Sequence, residues 1–419
     1  MFLVISANVT ALPQSNAPDE VSLGRASLDT VWQTVYEYHY DSTFGGLNWK
    51  EIHDRYSKLA AATKEDSDFI KLMNQMLREL KLSHYSVFRV EAAASSGSPS
   101  TSEGSIGIEL GLFGNEAIIT ALNPDFPAAQ AGMKPGYQIR SFNGKSVEQT
   151  LSDVAAKQIP QSNERQKTKS RYREVVGYCF GQPGDTVLIT YEDETGVCRD
   201  ARLQMKQRTG GTKLSEDFPT IYVDFKAERL AGNIGYIYFN TFFPPVDSLF
   251  LAALDSMKDI RGLIIDIRSS PGGMHEVGET IASRLVSKKT LFSVFQYRDS
   301  TVKVSVDPAP PVFAGPVAIL INSRNASASE RFSACMQSIG RAKIIGEQSS
   351  GSVGPSNVKR LPDGASFLYL VAQSSTPDGT VLEGRGVIPD ISVSLDRKAL
   401  LKGRDTQIER AIDYITKAR

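Results

Sequence analysis

Apolar residues recur at three- and four-residue spacing from about residue 21 to residue 82. In SLDTVWQTVYEYHY, Leu28, Val31, Trp32, Val35 and Tyr36 share one helical face. DFIKLMNQMLREL repeats the arrangement with Ile70, Leu72, Met73, Met76 and Leu77, so the spacing predicts amphipathic helices. EAAASSGSPSTSEG then has little bulk and much Ser, Gly and Ala, the composition of a linker. From there the period shortens to alternating strands. Turn residues stand in MKPGYQI and NGK, a helix starts in NPDFPAAQAG, and a strand pair lies in DTVLITYEDETGVCRDARLQM. A helical insertion is expected near 146 to 176. From about 220, strands and helices alternate: NIGYIYF, then the helix SLFLAALDSMK, then the continuous apolar runs GLIIDI, PVAILIN and AKIIGE. Uninterrupted apolar strands are the mark of parallel sheets buried on both faces. The expected division is 1–20 tail, 21–90 helical segment, 91–103 linker, 104–207 β-rich segment with a helical insertion, and 208–419 α/β core.

The composition narrows the function class. The chain has 419 residues, a formal charge of zero and 41% hydrophobic residues, as in an ordinary soluble globular protein of two or three domains. Zero net charge gives no electrostatic case for nucleic acid. No run of eighteen apolar residues exists, so no membrane span is expected. The start, MFLVISANVTALPQSNAPDE, lacks a basic n-region and reads either as the remnant of a trimmed signal or as a loose end. Cys179, Cys198 and Cys335 are too few for a disulfide framework, although an exported chain leaves the pair Cys179 and Cys198 able to close a hairpin. No Cys or His cluster has zinc spacing, and no metal or cofactor is expected.

Two strand-to-helix junctions carry unusual chemistry. In DIRSSPGGMHE a buried strand ends in a proline and two glycines before a helix. In INSRNASASERFSACMQ the next apolar strand ends in serines before a helix. Serines there have two uses. They cap the helix by accepting its free N–H groups, or one of them is a nucleophile aimed by the turn. With glycine N–H groups at the neighbouring junction, the second use provides an oxyanion hole as well. Asp266 and Arg268 are read as a pair that fixes the strand end.

The two junctions, GLIIDIRSSPGG and AILINSRNASASERFSACMQSIGRAKIIGE, resemble those of the C-terminal processing, or tail-specific, peptidases and their tricorn-core relatives, the S41 serine peptidases. LDTVWQTVYEYHYDSTFGGLNWKEIHDRY and MNQMLRELKLSHYSVF are similar to the helical cap of that family. GSIGIEL, FPAAQAGMKPGY and SFNGKSV resemble a PDZ domain, which the family carries between cap and core. The resemblance implies an α/β protease core (ClpP/crotonase-like) with an N-terminal helical cap and an inserted PDZ-like β-rich domain. It places the nucleophile at Ser327, with Ser329 as a neighbour facing the helix. The oxyanion donors fall on the N–H groups of Ala328 and of Gly272 or Gly273. Many processing peptidases use a lysine in GExxFGKG; here the stretch is GEQSSGSVGPS, the lysine position holds Ser352, and Lys343 and Lys359 are displaced. The base then comes from the four histidines. His39 and His53 read as surface or half-buried cap residues, and His275 follows the glycines as a rival. His84, in KLSHYSVF, matches the Ser-His motif of tricorn-type members, whose tetrad Ser83 completes together with Glu383 of LEGRGVIPD.

The implied activity is serine endopeptidase cleavage of peptide or protein substrates recognised near their C-termini by the PDZ-like segment. Ser105, Ile106, Gly107 and Ile108 are its peptide-binding residues, because a nest of backbone N–H groups holds a terminal carboxylate while the chain adds as a strand. The alternative is a non-catalytic binder of apolar ligands or peptides, since the retinoid-binding interphotoreceptor repeats resemble the same core. The family's usual export implies a periplasmic or otherwise extracytoplasmic location, and oligomers are open.

Overall fold

A computed structural model describes residues 19–90, 101–157, 164–215 and 218–418. Nearly all of the expected tail and most of the linker therefore lie outside the described residues. The apolar stripes at the start form three helices, Glu20–Tyr38, Trp49–Ala62 and Asp66–Arg78. Each stripe turns inward, so Leu28, Val31, Trp49, Phe69, Met73 and Met76 share one core, closed from the far end of the chain by Phe367 and Tyr369. That closure runs through a sheet in which Ser86–Phe88 pairs antiparallel with Ser366–Leu370. His84 thus sits at the edge of the helical segment, next to strands contributed by the C-terminal part.

The segment after residue 104 folds around its own core of Ile106, Ile108, Ile119, Phe142, Val187 and Ile189. Its antiparallel sheet runs Ile108–Phe113, Glu116–Leu122, Gln138–Phe142, Thr186–Glu192 and Cys198–Gln204, which leaves Ile108–Phe113 as an edge strand. The expected insertion is two helices, Val147–Lys157 and Glu164–Gly177. Cys179 is buried and Cys198 exposed, and both are free thiols, so no disulfide closes that hairpin.

The α/β layer is a six-stranded sheet in the order Phe225–Leu230, Ile234–Phe239, Gly262–Asp266, Val317–Ile321, Lys343–Gly346 and Ile391–Ser392. The first pair is antiparallel and every later pair parallel. Gly262–Asp266 and Val317–Ile321 are buried at every position, as their uninterrupted apolar runs require. Helices Val246–Ser256, His275–Ser283 and Ala328–Ser338 cover one face through Phe250, Ile281 and Phe332. Helix Thr406–Lys417 covers the other through Ala411 and Ile415. Among the described residues, no helix is long and apolar enough to cross a membrane.

This layer brings the two unusual junctions together. Both follow the C-terminal ends of adjacent parallel strands, where an open α/β sheet places its crevice. Asp266 and Arg268 form the expected pair, with Arg268 Nη2 2.6 Å from Asp266 Oδ2. The arginine also reaches Asp405 and Gln407, both at 2.8 Å, and so ties the strand end to the last helix.

Candidate active site

Ser327 precedes the helix Ala328–Ser338 with φ 55° and ψ −125°, and its side chain makes no capping bond. This backbone geometry is sparsely populated by residues with a side chain and costs about 1–3 kcal/mol. The use of Ser327 as an ordinary cap is therefore excluded. The N–H of Ser327 donates to Ser352 O at 2.6 Å, so the residue at the expected lysine position holds the serine through its backbone.

Ser329 is more than a neighbour. It is fully buried, and its hydroxyl lies 2.7 Å from Ala326 O and 3.1 Å from Ser270 O. Asn325 Nδ2 donates to Ile267 O at 2.5 Å and to Ser270 O at 3.1 Å. These two side chains staple the serine turn to the glycine turn. A β-carbon on Gly272 would stand 2.8 Å from Ser327 Cβ and 2.7 Å from Ala326 O, at φ +111°. Only a glycine permits that approach. Gly272→Ala should therefore force the turns apart and lower kcat by about 10²-fold or more. Steady-state peptide hydrolysis, with circular dichroism as a fold control, checks this.

The glycine turn also separates the two candidate donors. Gly272 N–H is directed to Ser270 Oγ at 3.3 Å. The N–H groups of Gly273 and Ala328 have no acceptor among the described residues. Gly273 and Ala328 are thus the pair left open to an oxyanion, and Gly272 supplies the close contact.

Residues from opposite ends of the chain assemble the second half of the site. Glu383 accepts the N–H and hydroxyl of Ser83 at 2.6 and 2.8 Å, and the N–H of Val353 at 2.7 Å. Ser83 Oγ lies 2.7 Å from His84 Nδ1. Since the serine proton goes to the carboxylate, Nδ1 carries the imidazole proton and Nε2 is left as the free base. Burial raises the Glu383 carboxyl above its ordinary range, against the pull of those three hydrogen bonds. Among the described residues no hydrogen bond joins Ser327 Oγ to His84. The connection instead runs through the turn that binds Ser327 at Ser352 and Glu383 at Val353.

The other histidines have different partners. His39 is buried rather than at the surface, with Nδ1 2.7 Å from the hydroxyl of Tyr85, the residue after His84. His53 pairs with Asp29 at 2.9 Å. His275 turns Nδ1 to Glu279 Oε1 at 3.1 Å, an oxygen that Arg331 also contacts at 3.1 Å. Lys343 is near Asp390 at 3.5 Å and Lys359 near Thr34 at 3.2 Å, neither at Ser327.

A lysine does approach the site, from a position the sequence did not flag. Lys169, on the helix Glu164–Gly177, lies within electrostatic range of Glu330 and Glu383, and burial lowers its pKa. Burial first, and Lys169 second, lower His84 to about 4. A histidine base works unprotonated, so its acid limb moves with its pKa. The acid limb of kcat/KM should accordingly fall nearer pH 4 than the unperturbed 6.5. Lys169→Met should move it upward by removing a like charge. A pH–rate profile of both proteins measures the shift.

The β-rich segment docks against this region. Glu109 accepts from Ser269 at 2.6 Å and from the Tyr238 hydroxyl. Arg324 donates to Leu110 O at 2.5 Å and to the Tyr172 hydroxyl at 3.1 Å. The expected carboxylate nest is not open in this structure. Ile106 N–H is donated to Cys179 O at 3.1 Å, and Gly107 N–H to Ser105 Oγ at 2.9 Å. Ile108 opens the edge strand beside them.

A strained serine at a strand-to-helix turn, beside two free N–H groups and a Glu–Ser–His relay, is the constellation of acyl transfer. Residues 233–393 match Peptidase family S41, and residues 25–78 match the Tricorn protease C1 domain. The chain carries a peptidase family S41 domain. A carboxyl-terminal-processing protease of Picosynechococcus sp. is 23% identical to this peptidase over 395 residues, 92% of this chain and 88% of that one. A Staphylococcus aureus protein named as a CtpA-like serine protease is 25% identical over 338 residues, 79% of this chain and 61% of its own. The solved photosystem II D1 C-terminal processing protease shares the fold at a TM-score of 0.57 and 20% identity, over 94% of this chain and 98% of that one. The chain is a serine-type peptidase.

Proposed function

We propose that Ser327 is the nucleophile of an endopeptidase, with His84 as its base and Ser83 and Glu383 orienting the imidazole. The observation that carries this reading is the relay Glu383–Ser83–His84, which leaves Nε2 as the free base. In the first step Ser327 Oγ bonds to the scissile carbonyl carbon while its proton passes to His84 Nε2. The carbonyl oxygen becomes an oxyanion held by the N–H groups of Gly273 and Ala328. Collapse breaks the C–N bond, and His84 returns the proton to the leaving amine. Water then attacks the acyl-enzyme by the same proton path and releases Ser327. The Ser327–His84 hydrogen bond forms on substrate binding, as catalytic contacts often tighten only in the complex. Treatment with a fluorophosphonate probe, followed by peptide mapping, tests the assignment. One label on Ser327 is expected; none would favour the non-catalytic binding alternative.

The substrate enters as a strand on the edge Ile108–Phe113 of a PDZ-like domain spanning about 104–207, between a helical cap and the peptidase core, and Arg324 must then release Leu110 O. The edge offers backbone groups for strand addition. Capture of a terminal carboxylate requires Ser105 to give up its bond to Gly107 N–H, and the anion then replaces the hydroxyl. Cleavage of one peptide as free acid and as C-terminal amide reads this directly. The acid should be cleaved faster, and equal rates would leave strand addition without reading of the terminus. The family's usual export supports an extracytoplasmic site of action.

A further inference from the structure

Glu330 lies three residues beyond Ser327 and is completely buried. All four donors around its carboxylate come from one turn. Oε1 accepts from the Ser349 hydroxyl and, at 2.7 Å, from Gly351 N–H. Oε2 accepts Ser352 N–H at 2.9 Å and lies 3.4 Å from Ser350 Oγ. Lys169 acts on it electrostatically, but these hydrogen bonds, rather than a salt bridge, hold the carboxylate among the described residues. A concave turn of converging N–H groups is a receptor for an anion, and here the anion belongs to the nucleophile's own helix.

The turn it holds touches both halves of the site. Ser352 O accepts Ser327 N–H at 2.6 Å, and Ser350 N–H donates to Asn325 O at 3.0 Å. Val353 N–H donates to Glu383 at 2.7 Å, and Gly351 O accepts Gly384 N–H at 2.8 Å. Among the described residues no hydrogen bond joins Ser327 to His84, and this turn bonds to both the serine and the relay.

We propose that Glu330 is a positioning residue for the reaction: by gripping residues 349–352 it sets the place of Ser327 relative to His84, Ser83 and Glu383. The inference rests on Ser327 being the nucleophile. A carboxylate suits the role because both oxygens accept. A glutamine presents an NH₂ to one of the N–H groups and leaves that donor unpaired.

The test compares wild type, Glu330→Gln and Ser349→Ala by steady-state peptide hydrolysis and by fluorophosphonate labelling followed to completion. Glu330→Gln should lower kcat by about 10²-fold with KM unchanged, the scale of a small misplacement of reacting groups. Labelling should still reach one probe per chain, but at a rate reduced in parallel. A loss of kcat matched by an equal loss of labelled chains at the wild-type rate would mean that Glu330 only maintains the fold, and would overturn the proposal. So would a kcat within about threefold of wild type. If Glu330→Gln does not fold, Ser349→Ala decides: it keeps the carboxylate, removes one of its donors together with the acceptor of Val387 N–H, and should lower kcat roughly tenfold at full labelling stoichiometry. Unchanged kinetics there overturn the idea. Mapping the wild-type label keeps the two readings apart, because a probe bound elsewhere than Ser327 removes the nucleophile assignment itself, and this proposal with it.

Discussion

Ser327→Ala should abolish peptide hydrolysis, with kcat falling by roughly 10⁴- to 10⁶-fold, the range measured when the nucleophile of a serine triad is removed. The fold should survive. The Ser327 side chain makes no cap bond, and its N–H bond to Ser352 O is a backbone contact that alanine keeps. The φ of 55° strains serine and alanine alike, since both carry a β-carbon. Thermal unfolding should thus be displaced by no more than the about 0.5 kcal/mol usual for neutral substitutions. The control is Ser329→Ala, which leaves Ser327 Oγ in place and removes the hydroxyl's bonds to Ser270 O and to the backbone of Ala326. Activity retained in Ser327→Ala and lost in Ser329→Ala would move the nucleophile two residues along.

His84→Ala should cost about 10⁴-fold in kcat, as expected when the general base of such a constellation is lost. The serine hydroxyl is a poor nucleophile without a proton acceptor, whereas the Gly273 and Ala328 donors still act on the carbonyl. Ser83 and Glu383 keep their two hydrogen bonds to each other, so the variant loses the ring and little of its support. His275→Ala is the informative comparison. That ring is committed through Nδ1 to Glu279 and rests on Phe295, with ring centroids 5.4 Å apart. Its removal should leave most of the activity under saturating peptide. The reverse result, full activity without His84 and none without His275, would give the base to His275 and discard the Glu383 relay.

How far the sequence reached depended on how local the cause was. Hydrophobic period alone determined the helices that bury Leu28, Met73 and Met76, because a 3.6-residue repeat leaves one face to cover. The unbroken runs GLIIDI and PVAILIN determined buried parallel strands for the same kind of reason. The two junctions stood out because glycines and serines close buried strands there, but serines also cap helices, and it was the family resemblance that pointed to chemistry. Partnerships between distant segments were not legible. That Glu330 grips residues 349–352, or that Lys169 approaches His84 from the β-rich segment, follows from how strands and domains pack, and no periodicity encodes it. The donor choice between Gly272 and Gly273 turned on which N–H the Ser270 hydroxyl already holds. The nest expected at Ser105–Ile108 is closed by Ser105 itself and by Cys179 O, a carbonyl whose position only the folded segment sets. Sequence determines which residues want burial and which turns are possible. Hydrogen-bond assignment among buried polar groups is a competition between neighbours, and tertiary structure alone decides who the neighbours are.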